Sequence, residues 1–189
     1  NSTPNVTIMR VPSAGGSAVA AGTLSPGAVT QRWPQVLPGG AGVLFSEHSS
    51  TTGWDSANIV VMPLKGLPAD SSAGASAKAG GAPKVIVRGG YFGRYVAAPS
   101  HAGATGTGYL LYMQQGTVFG VPFDPARLET TGQAVPVIDG VAASNSNGGV
   151  ELDVAPDGTL VFVPGTATTA ANPINWVARD GKTSPLRAL

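Results

Sequence analysis

The chain is 189 residues long, 42% hydrophobic and only 11% charged, with 11 Lys and Arg against 10 Asp and Glu for a net charge of +1. That is enough apolar material for a substantial core, while charge this scarce and balanced leaves no basic footprint for nucleic acid or an anionic membrane. The 27 glycines and 16 prolines favour many turns over long helices, and the absence of cysteine excludes disulfides and thiolate metal sites.

No apolar run approaches the roughly 18 to 20 residues that span a bilayer, so no membrane insertion is expected of this chain. It begins at Asn1 and carries no leader pattern, which makes it a processed or internal segment of a longer protein by expectation. Asn1-Ser2-Thr3 and Asn5-Val6-Thr7 fit the glycosylation sequon, a pattern short enough to arise by chance.

In chain order, residues 6–12 read as a strand, 13–17 as a turn and 18–24 as a second strand. A unit follows with strands expected at 35–37, 42–47, 58–64 and 84–88, the last two separated by 66–81, a run of small and polar residues expected to be mobile. The next unit has strands at 95–99, 109–114, 117–124 and 134–138, with Gln114-Gln115-Gly116-Thr117 as a tight hairpin turn and 101–108 as a longer one. A last unit takes 150–154, 159–164, 174–179 and 186–189. Its clearest part is Pro156-Asp157-Gly158, a fixed φ, a side chain that bonds its own backbone and a residue free to take positive φ, placed between alternating Val150-Glu151-Leu152-Asp153-Val154 and apolar Leu160-Val161-Phe162-Val163. Nothing has convincing helical periodicity, so the fold class is all-β.

The plan repeats. The turn prolines Pro38, Pro99 and Pro156 lie 61 and 57 positions apart, a period suited to four-stranded propeller blades. On this basis the chain divides into 1–30 (outer strands of one blade), 31–90 (a second blade carrying the 66–81 insertion), 91–140 (a third) and 141–189 (a fourth, truncated). That is a β-propeller fragment of about three and a half blades in an incomplete ring.

Arg32-Trp33-Pro34-Gln35-Val36-Leu37-Pro38-Gly39-Gly40, Gly93-Arg94-Tyr95, Gly116-Thr117-Val118-Phe119-Gly120-Val121-Pro122-Phe123-Asp124 and Asp157-Gly158-Thr159-Leu160-Val161-Phe162-Val163-Pro164-Gly165 resemble the TolB-like, WD-repeat-like six-bladed propeller. The resemblance runs from about Val6 to Arg179. It implies the sensor-like propeller found C-terminal to bacterial membrane-anchored serine/threonine protein kinase domains, on the extracytoplasmic side. Similar blades occur in TolB-like periplasmic scaffolds and in the substrate-gating propeller of prolyl-oligopeptidase-type serine peptidases, and both stand as alternatives.

Catalytic constellations are missing from the string. Gly15-Gly16-Ser17-Ala18-Val19 and Gly74-Ala75-Ser76-Ala77-Lys78 lack the last glycine of a nucleophile elbow, and the glycine-rich loop and aspartate motifs of a kinase are not present. His48 and His101 are expected in loops, too far apart in sequence to suggest a zinc site. Glu151 and Asp153 share one strand face opposite Val150, Leu152 and Val154, which suits a solvated or channel-facing side. No enzyme activity, cofactor or metal is therefore expected of the segment itself. The candidate partner-contact residues are Arg32 with Trp33 and Arg94 with Tyr95, since arginine and aromatic side chains are enriched where interfaces carry their energy. The same residues suit packing between blades, with the arginines bonding loop carbonyls. Expected partners are a protein, peptide or small ligand at the propeller loops and the remaining blades of the parent chain.

Overall fold

The computed structural model describes residues 6–64, 82–98, 107–144, 146–155, 157–165 and 175–186. They form an all-β chain whose helical content is two short 3-10 turns, Pro38–Gly40 and Trp54–Ser56. The strands lie in four small antiparallel sheets, none of them closed. A hairpin joins β1 (Met9–Arg10) to β2 (Val19–Ala20). The first larger sheet runs β3 (Thr30–Val36), β4 (Gly42–His48), β5 (Asn58–Pro63), β6 (Lys84–Arg88) in that order. The second runs β7 (Tyr91–Ala97), β8 (Gly108–Gln114), β9 (Thr117–Asp124), with β10 (Glu129–Thr130) and β11 (Val135–Asp139) sharing the far edge of β9. The third runs β12 (Leu152–Val154), β13 (Leu160–Phe162), β14 (Asn175–Val177), β15 (Thr183–Pro185).

The first and third of these larger sheets are up-and-down meanders in which strands adjacent in sequence pair, and so is β7 to β9 of the second, where β11 then passes β10 to pair with β9. Gly39 and Gly116 supply the positive φ that two of those turns need, at 64° and 81°. In the middle of the chain Leu44 opposes Val61, and Leu110 opposes Val121 as the hairpin turn at 114–117 requires.

Several expectations are corrected. The strand placed at 35–37 begins at Thr30, and the one placed at 95–99 begins at Tyr91. The final strand falls at Thr183–Pro185, ahead of Leu186, since Ala178 N donates to Lys182 O and closes the turn early. β10 was not anticipated; Asp124 Oδ1 accepts from the N–H groups of Ala126 and Arg127, turning the chain back onto β9. His48 is the last residue of β4 and is buried, not a loop residue. The 66–81 loop, the two sequons' asparagines, His101, Pro99, Pro156 and residues 187–189 lie outside the described residues.

The sheets pack face to face in chain order through three apolar layers. Val43, Phe45, Val60 and Met62 of the first sheet meet Ile8 and Ala21 of the N-terminal segment. Leu44, Ile59 and Val61 on its other face meet Tyr95, Leu110, Tyr112, Val121 and Phe123 of the second. The second sheet's opposite face, with Tyr91, Leu111, Met113 and Val118, meets Val150, Leu160 and Phe162. Strands covered on both faces need apolar residues at successive positions, which is why β4 and β8 read as nearly unbroken hydrophobic runs.

Candidate partner-contact site

The four candidate residues lie on β3 and β7, the first strands of the first two larger sheets, and their placement is set by two matching β-bulges. Along β3 the register passes from Arg32 opposite Ser46 to Gln35 opposite Leu44, so Trp33 and Pro34 together face the single residue Phe45. Along β7 it passes from Tyr91 opposite Met113 to Arg94 opposite Leu111, so Phe92 and Gly93 face Tyr112. Pro34 has no N–H to give the ladder. Gly93 leaves room that a Cβ would take from Ile59, its Cγ2 only 2.8 Å away. The leading residue of each bulge sits in left-handed backbone, φ 58° at Trp33 and 56° at Phe92. For bulky side chains this costs on the order of 1–3 kcal/mol and persists only where surroundings enforce it.

The surroundings do enforce it. The two bulge aromatics meet edge to face with centroids 5.4 Å apart. The Phe92 N–H donates to the buried Ser46 Oγ at 2.8 Å, which anchors the second bulge on the first sheet. Gln35 clamps the strands together: its Oε1 accepts from Tyr95 N at 2.6 Å and its Nε2 donates to Tyr95 O at 3.1 Å. Arg94 lies 4.0 Å over the Phe92 ring and donates through Nη1 to the Trp33 and Gly93 carbonyls.

The loop ahead of β12 completes the cluster. Asn147 O accepts from Trp33 Nε1 at 2.9 Å and from Arg32 Nη1 at 3.3 Å. The Arg32 guanidinium stands 5.0 Å over the ring of Trp54, which is fully buried. Gly148, at φ 69°, passes so close to Trp54 that any side chain there would collide with the indole. Thus the first two larger sheets and the loop leading into the third converge on Arg32, Trp33 and Arg94.

The candidates differ in what they leave available. Tyr95 is 8% exposed and packs edge to face with Phe123 inside the seam between the first two sheets. Arg32, Trp33 and Arg94 are half-buried. Each guanidinium has five N–H donors, and Nη2 of both arginines bonds nothing among the described residues. Burial lowers the Arg94 pKa, and the Asp153 carboxylate acts in the opposite direction. Nearby, burial pushes the Tyr91 hydroxyl up to about 12, with Asp55 adding to it, so the phenol stays neutral at ordinary pH.

Pairing Arg32-Trp33 with Arg94-Tyr95 by residue type is out of register. Structurally Trp33 corresponds to Phe92, and Gln35 to Arg94. Phe92, Gln35 and Asn147 are the members that the sequence reading missed. The signal available was the residue after each aromatic, Pro34 and Gly93, both poor in a regular strand and common at bulges. His48 takes no part, since its Nε2 is held by Thr52 O at 3.0 Å and its ring lies against Trp54. Glu151 and Asp153 are exposed on one side of the β12 segment, with Val150, Leu152 and Val154 turned inward as expected. Among the described residues no group of three or more His, Asp or Glu could hold a metal ion.

In comparisons with known proteins, the chain matches no family model, no curated protein and no solved structure.

Proposed function

We propose that the chain is part of a TolB-like β-propeller whose stacked meander sheets are its blades, and that it serves as a non-catalytic binding or sensing module. The reading carries with it the setting that the resemblance implies: the C-terminal, extracytoplasmic region of a bacterial serine/threonine protein kinase. Its mechanism is passive. Rigid sheets hold a surface of Arg32, Trp33 and Arg94, whose unspent guanidinium donors and aromatic edge suit the carbonyls or carboxylates of a protein, peptide or small ligand.

The observation that supports this best is the pair of matching bulges. Two bulky residues held at positive φ, at equivalent places in neighbouring sheets, are a cost that regular strands avoid, and such strain clusters at ligand clamps and functional surfaces. Tyr95 supports the surface from inside the core and is not a contact residue in this reading.

The test is affinity capture from extracts of the source cells, comparing the wild-type chain with an Arg32→Ala/Arg94→Ala variant shown to keep its melting temperature. Capture of a discrete partner by the wild type and its loss in the variant is the expected outcome. Identical capture profiles for the two would overturn the assignment of this surface.

A further inference from the structure

Away from the bulges, one row of polar residues crosses the first sheet in register. Gln31 opposes Glu47, Glu47 opposes Asn58, and Asn58 opposes Arg88. Directly opposed residues point to the same face. This row therefore continues the Val43, Phe45, Val60 and Met62 face to its end, where the apolar layer stops. There a cavity of about 280 Å³ opens between the row and the 25–28 loop, lined by Glu47, Asn58 and Arg88 together with Ser25, Ser49 and Val85.

Glu47 is the unusual member. It is 3% exposed, yet it has no cationic partner among the described residues. Its Oε1 accepts from Gln31 Nε2 at 2.9 Å and from Ser25 N at 3.1 Å, while Oε2 accepts nothing among the described residues. Thr7 Oγ1 and Ile8 N, both bonded to Gln31 Oε1, hold the Gln31 amide in the orientation that serves Glu47. Glu47 lines the cavity, so the free half of its carboxylate is left to accept from whatever donor enters there. The two other side chains of the row, Asn58 and Arg88, make no hydrogen bond or ion pair among the described residues, and Arg88 is exposed at the cavity rim. The row thus offers an anionic acceptor, a neutral amide and a cationic fork in sequence across β4, β5 and β6.

We propose that this cavity binds a small zwitterion, its ammonium group on Glu47 Oε2, its carboxylate on the Arg88 guanidinium and a polar group between them on Asn58. β4 and β6 are two strand spacings apart, roughly 10 Å. A ligand whose two charges lie more than the one carbon of an α-amino acid apart, such as a dipeptide, matches that backbone spacing. The volume lies just below that of drug-sized ligand pockets, roughly 300–1,000 Å³, and suits a small molecule such as a dipeptide. A bare metal ion does not fit, because Glu47 is the single carboxylate lining the cavity and the cationic Arg88 lines it too. The site is on a different face from the Arg32, Trp33 and Arg94 surface and does not rest on the propeller reading.

The experiment is calorimetric titration of the full chain with glycylglycine, and in parallel with glycylglycinamide and N-acetylglycylglycine, which each lack one of the two charges. Saturable binding of glycylglycine is expected, weakened about tenfold or more by either blocked end and by Arg88→Gln or Glu47→Gln. Arg88→Gln is at an exposed position and should leave the melting temperature unchanged, so it decides the matter even where Glu47→Gln fails to fold. No saturable binding of glycylglycine, equal binding of a blocked dipeptide, or wild-type affinity in Arg88→Gln would each overturn the proposal.

Discussion

The first and third larger sheets share one strand order and nearly the same apolar vocabulary, yet they differ sharply in how deeply they are held. All seven residues of β4 are buried, with Val43 and Phe45 facing the N-terminal segment and Leu44 facing the second sheet. In the third sheet the strands are three residues long, and among the described residues only one face is covered: Leu160 and Phe162 join the layer shared with the second sheet. On the opposite face Asp153, Val161, Trp176 and Ser184 are aligned in register, and Trp176 is 42% exposed. The lesson is that a hairpin's depth is a property of its neighbours. Apolar stabilisation scales with area removed from water, so a strand covered on two faces gains about twice what a similar strand gains from one.

That contrast can be pressed at three depths. Phe45→Ala, in the doubly covered sheet and fully buried, should cost about 3–5 kcal/mol by guanidinium denaturation. A loss under about 1 kcal/mol would mean that the layer between the N-terminal segment and the first sheet contributes little. Gln35→Ala tests the tie between the first and second sheets. It removes both hydrogen bonds to the Tyr95 backbone and should cost about 1–3 kcal/mol, because it leaves buried backbone groups unmatched. If Gln35→Ala is neutral, the seam is held by apolar packing alone. Trp176→Ser, on the open face of the third sheet, should change stability by no more than about 0.5 kcal/mol in the same assay. A larger loss would show that this face is covered in solution.

Much of the strand pattern was legible because period-two alternation and Gly and Pro turns are local signals. Thr117 to Asp124 falls where the sequence places it, and the strands expected at 42–47 and 58–64 are found within one residue, at Gly42 to His48 and Asn58 to Pro63. The starts of β3 and β7 were not legible, since each strand continues through a bulge whose leading aromatic has left-handed backbone. A chain read for regular alternation breaks at such a point, and both strands were begun several residues late. The burial of His48 was hidden for a related reason: a strand's last residue is inside or outside according to what packs on it, here Trp54 from a neighbouring 3-10 turn. The convergence of Asn147 on Trp33 and Arg32 joins residues 114 and 115 positions apart, and no local pattern announces it.

Composition and local chemistry by themselves determined an all-β chain of short antiparallel meanders, because proline and glycine punctuate the backbone and β-branched and aromatic residues fill the intervals. Tertiary packing alone decided which strands are covered on two faces, where the bulges fall, and that Gln31, Glu47, Asn58 and Arg88 form one row. Those features depend on register and on contacts between distant segments, and a one-residue slip in pairing would turn each of these side chains to the other face.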